Sequence, residues 1–160
     1  MGHLVNKWLF SAFMLSISTQ VLGTGQYLGR VYSATPEGCR YDGGSGGVEI
    51  GSLGYALVEC NGRRMLWLEE LIGHDGNRSV SRIVDVANMP SLKRGQGILD
   101  IECHHDDKAV GPVIAVGTWV RRKGGGYATG ISHAWTFDFS KRKIKSINPK
   151  RVKCEMSYEI

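Results

Sequence analysis

Hydrophobic and polar residues alternate with a period of two along much of this chain. The segment "RVKCEMSYEI" sends its side chains to two faces, with Val152, Cys154, Met156 and Tyr158 on one and Lys153, Glu155, Ser157 and Glu159 on the other. Such alternation predicts a strand with one buried face. "GILDIEC" at 97–103 and "AWTFDF" at 134–139 alternate in the same way, whereas "PVIAVGTWV" at 112–120 is apolar almost throughout, which is typical of a central strand covered on both faces.

Turn-forming residues separate these runs and favour antiparallel hairpins. "YALVEC" and "RRMLWLEEL" are joined by Asn61–Gly62, a strong hairpin signal. "SVSRIVDVANM" at 79–89 fits a helical face or a strand, and its β-branched residues favour the strand. The pattern predicts an all-β fold, an antiparallel sandwich or barrel-like domain, over residues 24–160.

Residues 1–23 have the pattern of a secretory signal peptide. Lys7 precedes an apolar run from Trp8 to Ile17, and Val21 and Gly23 fit the −3 and −1 positions of a cleavage site. The run is too short to span a bilayer as a helix, which takes roughly 20 residues; an uncleaved N-terminal anchor is the alternative. We therefore expect a periplasmic protein with no transmembrane segment after signal cleavage.

The cysteine count and the charge narrow the class further. An exported chain with 4 cysteines predicts two disulfides. Three pairings of Cys39, Cys60, Cys103 and Cys154 are possible, and we favour Cys39–Cys60 with Cys103–Cys154. The formal net charge of +5 suits an acidic partner but is not the basic density of a dedicated nucleic-acid binder, so we expect no nucleic-acid partner.

Two short motifs resemble catalytic or metal sites, but their context does not fit. "GGSGG" contains G-x-S-x-G around Ser45, yet a strand start follows it, where a nucleophile elbow needs a helix. "HHDD" at 104–107 places metal-binding side chains in a row, and neighbours on a strand point to opposite faces. We expect turns at both places, no catalytic residue, no metal and no cofactor; a small serine hydrolase using Ser45 or Ser132 is a minor alternative.

The stretch "GTWVRRKGGGYATGISHAW" at 117–135 predicts a long, glycine-rich, mobile loop between two aromatic-rich strands. It is not a P-loop, because Lys123 precedes the glycines. It is not a catalytic triad either, because adjacent Ser132 and His133 would face opposite ways on a strand. Loops on a rigid scaffold often carry binding function, and Arg and Tyr are favoured at interfaces. The predicted partner-binding residues are Arg121, Arg122, Lys123, Tyr127, Ser132 and His133; a plain connecting hairpin is the alternative.

A second cationic segment, "SKRKIKS", supplies the basic patch of Lys141, Arg142, Lys143 and Lys145. It is either a solvated hairpin that protects a sheet edge or a docking patch for an acidic protein or an envelope polyanion.

The chain from about Arg82 onward resembles a pattern of small exported proteins of Gram-negative bacteria. The residues that carry the resemblance are "RIVDVANMP", Cys103, "DD", "VIAVGTWV", "ISHAW" and Cys154. Signal-bearing, disulfide-stapled β proteins of this size resemble type VI secretion immunity proteins against cell-wall amidase effectors, and periplasmic lysozyme inhibitors. The resemblance implies a non-enzymatic inhibitor that blocks the active site of a peptidoglycan-degrading amidase or muramidase with a loop. A structural or polyanion-binding envelope protein is the alternative.

Overall fold

A computed structural model describes residues 24–42, 52–100, 103–106 and 112–157. The predicted signal peptide at 1–23, the G-x-S-x-G motif around Ser45, Ile101, Asp107 and the end of the last predicted strand at 158–160 lie outside the described residues. Within the described part, no helix is both long and apolar enough to cross a membrane.

The described chain consists of strands and two short 3-10 turns, at Thr24–Gln26 and Pro149–Arg151. The strands are β1 Val31–Tyr32, β2 Cys39–Tyr41, β3 Leu53–Cys60, β4 Arg63–Asp75, β5 Arg78–Asn88, β6 Gly97–Leu99, β7 Cys103–His105, β8 Val113–Arg122, β9 Gly125–Asp138, β10 Lys143–Ser146 and β11 Val152–Ser157. Sheet A has the order β1-β5-β4-β3-β2, and sheet B has the order β6-β8-β9-β11-β7, with β10 also paired to β9. All pairings are antiparallel, so the predicted all-β antiparallel class is confirmed.

The main core lies between the two sheets. Because side chains alternate along a strand, each sheet turns a row of large apolar residues toward the other. The buried cluster comprises Tyr55, Leu57, Leu66, Leu68, Met89, Ile114, Val116, Trp135 and Phe137. The rings of Tyr55 and Phe137 stack across the interface with centroids 4.8 Å apart. The alternation in "YALVEC" and "AWTFDF" therefore supplies the two facing layers.

The outer face of sheet A is also buried, which explains why β3 and β4 are apolar on both faces. Trp67 is fully buried there, and Tyr27 and Tyr32 of the segment before and within β1 pack against its ring. Residues 24–42 thus form a cover over this face, and the Cys39–Cys60 disulfide fixes one end of the cover to β3.

Sheet B curls into a half-barrel, and chain length requires the curl. β6 ends at Leu99 and β7 begins at Cys103, a separation that spans at most about 14 Å. These strands are the two edges of sheet B, which would lie about 19 Å apart in a flat sheet of five strands. The curled interior is narrow, and it is filled partly by the small side chains of Ala115 and Ala134 beside the Cys103–Cys154 bridge.

Both favoured disulfides are present, and both join directly paired residues on neighbouring strands. Cys39 lies opposite Cys60 in the β2–β3 pair, and Cys103 lies opposite Cys154 in the β7–β11 pair. The structure contains no free cysteine among the residues it describes. The predicted pairing is confirmed.

Two further predictions are confirmed and one is wrong. Asn61 and Gly62 have φ values of 50° and 76°, which fit the two-residue hairpin that joins β3 to β4. The ambiguous segment at 79–89 is strand β5 up to Asn88. By contrast, the single strand predicted over "GILDIEC" is wrong, because β6 ends at Leu99 and Cys103 begins β7 at the other edge of the sheet.

Candidate functional site

The stretch predicted to be a long mobile loop is a regular hairpin. β8 and β9 pair from Val113↔Thr136 to Arg122↔Gly125, so only Lys123 and Gly124 connect them. Gly124 has a φ of 75°, which glycine adopts without strain. Gly126 has a packing role, because a Cβ there would lie 2.6 Å from the Trp119 ring. The glycine run was misread as flexibility because the contact with Trp119 is not visible in sequence.

The end of this hairpin carries a cluster that we call the hairpin tip: Arg121, Arg122, Lys123 and Tyr127. The three cations are exposed, and Tyr127 keeps 37% of its surface exposed. The Arg122 guanidinium lies over the Tyr127 ring, 5.7 Å from its centroid, a cation–π contact that restrains both side chains. β11 pairs with β9 from Gly125 to Tyr127 and holds the tip to sheet B.

The cations of the tip are not neutralised by the rest of the described chain. None of the ion pairs formed by the described residues includes Arg121, Arg122 or Lys123. Glu155, opposite Tyr127 on β11, is the nearest acidic neighbour in the strand register. Three cations against this one carboxylate leave a net charge of +2 at a fixed position.

Ser132 and His133 do not belong to the tip. They lie at a β-bulge, where Gly130, Ile131 and Ser132 oppose Gly117 between the Val116↔His133 and Thr118↔Thr129 pairs. The expectation that adjacent Ser132 and His133 side chains face apart is wrong, because the bulge brings the Ser132 Oγ to 3.1 Å from the His133 Nδ1.

The hydrogen bonds at the bulge do not resemble an activated serine. The Ser132 hydroxyl donates to the Val116 carbonyl at 3.3 Å, and the Gln96 amide donates to the same hydroxyl at 3.4 Å. The Val116 carbonyl can only accept the hydroxyl proton, and this hydrogen bond competes with the donation to histidine that a nucleophilic serine needs. The arrangement stabilises the bulge.

A groove of about 460 Å³ lies beside the bulge and was missed in the sequence. Gly95, Gln96, Gly97, Ile98, Leu99, Asp100 and Trp119 line it. The periodic pattern placed Trp119 and Leu99 on strands and did not indicate a groove. They line a groove because β6 is short and pairs with β8 only up to Gly97↔Gly117, which leaves the Trp119 side chain beyond the end of β6.

The basic patch lies on the predicted hairpin, formed by the end of β9, a turn and β10, but most of its charges have partners within the chain. Arg142 pairs with Glu70 of β4, Lys143 with Asp85 of β5 at 3.3 Å, and Lys145 with Asp138 of β9 at 2.6 Å. The Lys145 ammonium, the Ser140 hydroxyl and the Lys141 backbone N–H hold the pKa of Asp138 well below its usual range. Asp85 also accepts the backbone N–H of Ile144 at 2.8 Å and so joins sheet A to β10.

The histidine-rich segment lies on β7 and in the turn after it. His104 is exposed, His105 is half-buried, and Asp106 pairs with Arg151. Among the described residues, no group of three or more histidine, cysteine or acidic side chains is placed to hold a metal ion.

A polar cluster on the outer face of sheet A was also missed in the sequence. The Tyr32 hydroxyl donates to the Glu69 carboxylate and lies 3.3 Å from the Tyr41 hydroxyl. Burial, followed by the hydrogen bond with Glu69, raises the pKa of Tyr32 far above its usual value. Burial also raises the pKa of Glu69, and the Tyr32 hydrogen bond opposes that rise only in part. The cluster fixes β1 and β2 across the sheet.

The raised pKa of Glu69 predicts a pH-dependent effect of a single substitution. The folded state binds the Glu69 proton more tightly than the unfolded state, so this group's stabilising contribution is complete below its ordinary pKa of 4.5 and is lost as the pH rises through the folded value. The stability of Glu69→Gln relative to the parent should therefore increase as the pH rises from about 4 to about 7. Urea unfolding of both proteins at each pH checks this; a difference that does not change with pH would contradict it.

Comparison of the chain with protein-family models, with curated proteins and with solved structures finds no match.

Proposed function

We propose that this protein is an exported, non-enzymatic inhibitor that binds a partner protein through its hairpin tip, and that the partner is a peptidoglycan-degrading amidase or muramidase. The observation that carries the proposal is the cluster of three cations without ion-pair partners in the described chain, beside an exposed tyrosine, at and next to a two-residue turn. Two disulfides favour an oxidising compartment, which supports the periplasm as its location.

The tip suits binding for a physical reason. Strand pairing on both sides of the turn and the Arg122–Tyr127 contact hold the side chains before a partner arrives. Less conformational entropy is then lost on binding, and preorganisation of this kind raises affinity. Arg and Tyr are also the residue types most often found at interface hot spots. A cationic tip fits an active-site cleft that contains carboxylates.

The alternative of polyanion binding through the basic patch has weaker support. Arg142, Lys143 and Lys145 each contact a carboxylate of the same chain. A polyanion would have to compete with those carboxylates, and it brings no apolar side chain whose burial could offset the electrostatic gain that the competition removes. A small hydrolase that uses Ser132 has no support from the hydrogen bonds around that serine. The other candidate nucleophile, Ser45, lies outside the described residues.

Inhibition of purified enzymes tests the proposal directly. The oxidised protein should slow the release of soluble fragments from purified peptidoglycan by a muramidase or an N-acetylmuramoyl-L-alanine amidase. Replacing Arg121, Arg122 and Lys123 together with Ser should weaken inhibition by roughly 30-fold or more, and Tyr127→Ala by about tenfold. The three cations are exposed, so the melting temperature of the triple variant should barely change.

A matched pair of exposed cations serves as the control. Lys93→Ser with Arg94→Ser removes two exposed charges from the loop before β6, which does not belong to the hairpin tip. This variant should inhibit like the parent. Equal losses in the control and the tip variant would reduce the effect to net charge, and a lack of inhibition of either enzyme class by the parent would exclude the proposed target.

A further inference from the structure

A second surface lies at the opposite end of the molecule from the hairpin tip. β9 begins at the tip with Gly125 and ends at Asp138, and its register against β8 places its ends roughly 35 Å apart. At the far end, the turn between β9 and β10 faces the edge of sheet A across a groove of about 390 Å³. We call this the edge groove; it is lined by Leu28, Gly29, Arg82, Ile83, Val84, Lys141, Arg142 and Lys143.

The edge groove exposes apolar side chains. Leu28 is 52% exposed and lines the groove. Val31 is 49% exposed and lies opposite Arg82 in the β1–β5 pair, so the two side chains emerge on the same face. Leu28 and Val31 are the two most exposed of the large hydrophobic residues that the structure describes. Apolar surface of this kind, next to charged groups, is typical of interaction sites.

The groove also carries an excess of positive charge. Its cations are Arg82, Lys141, Arg142 and Lys143, and the carboxylates that contact them are Glu70 and Asp85. Four cations against two carboxylates leave a net charge of +2. Glu70 is shared by Arg82 and Arg142, and each guanidinium has five N–H donors, so donors remain for a further carboxylate.

We infer that the edge groove is a second protein-binding site, whose partner presents an extended segment with an apolar side chain between carboxylates. The apolar side chain would pack against Leu28, and the carboxylates would bind Lys141 and the guanidinium groups of Arg82 and Arg142. Charge complementarity selects this occupant, because a basic segment or a second copy of the groove would be repelled. The site is independent of the hairpin tip, so both can be occupied together.

A short fluorescein-labelled peptide of alternating aspartate and leucine tests this inference by fluorescence anisotropy. The protein should carry the triple Arg121, Arg122 and Lys123 to Ser substitution, so that the tip does not bind the probe. Leu28→Ser should weaken binding about tenfold. Lys141→Glu should weaken it at low salt, and the difference should shrink at about 1 M salt, where the Debye length is about 3 Å.

Leu71 supplies the matched apolar control. It is 39% exposed, but it lies opposite Ser81, which pairs with Tyr32, and Tyr32 belongs to the outer face of sheet A. Leu71→Ser should therefore leave the peptide affinity unchanged. An equal loss with Leu71→Ser, or equal binding of a lysine–leucine peptide, would overturn the inference, whatever the enzyme assays show about the tip.

Discussion

Replacing Cys103 and Cys154 with alanine should lower the free energy of unfolding by about 4 kcal/mol, because the bridge closes a loop with a sequence separation of 51. The bridge also joins β7 to β11 where the half-barrel closes, and Cys154 is only 1% exposed, so lost packing adds to the effect. Urea unfolding of the oxidised proteins measures it. The melting temperature should fall by more than about 10 °C.

The other disulfide is the natural comparison. Cys39 and Cys60 have a sequence separation of 21, so the same argument gives about 3 kcal/mol for their replacement with alanine. Alkylation of the oxidised parent should find no free thiol. If the Cys39 and Cys60 variant loses as much stability as the Cys103 and Cys154 variant, or more, loop length and closure of the half-barrel do not decide the relative effect of the two disulfides.

Asp85→Ala should lower the free energy of unfolding by about 2 kcal/mol, because it leaves the Ile144 N–H without its acceptor and removes the partner of Lys143. The Asp85 side chain is only 16% exposed, so water replaces it poorly. Asp85→Asn keeps an acceptor for the N–H and should lose about half as much. Chemical unfolding of the two variants and the parent gives the order.

Lys143→Ser separates the two roles of this contact. Its side chain is 56% exposed, and an exposed ion pair contributes about 0.5 kcal/mol, so this variant should remain near the parent. A larger loss of stability for Asp85→Ala than for Lys143→Ser would identify Asp85 of sheet A as the group that holds the basic hairpin in place. If Lys143→Ser and Asp85→Ala lose the same amount of stability, the ion pair, not the backbone contact, joins the sheets.

Local pattern was enough to predict several of the strands and the two disulfides. Alternation in "YALVEC" and "RRMLWLEEL", with Asn61–Gly62 between them, depends only on neighbours in the chain, and β3, β4 and their hairpin formed as expected. Four cysteines in an exported-type sequence likewise predicted two bridges. Four of the six predicted partner-binding residues, Arg121, Arg122, Lys123 and Tyr127, lie together at the hairpin tip because they are close neighbours in one hairpin, and their role in binding stays a prediction.

Contacts between distant residues decided the rest. Gly126 is glycine because the Trp119 ring lies against it, and a run of glycines was therefore mistaken for a mobile loop. The bulge at Gly130–Ser132 turned adjacent Ser132 and His133 toward each other. Asp85 and Glu70 neutralise cations more than fifty residues away in the chain, whereas the three cations of the hairpin tip have no ion-pair partner among the described residues. Sequence determined which residues alternate and cross-link. Only the packing of sheet A against sheet B decided which cations are neutralised. The carboxylates of sheet A that pair with the cations of the β9–β10 hairpin are far away in the chain, and no local pattern reveals them.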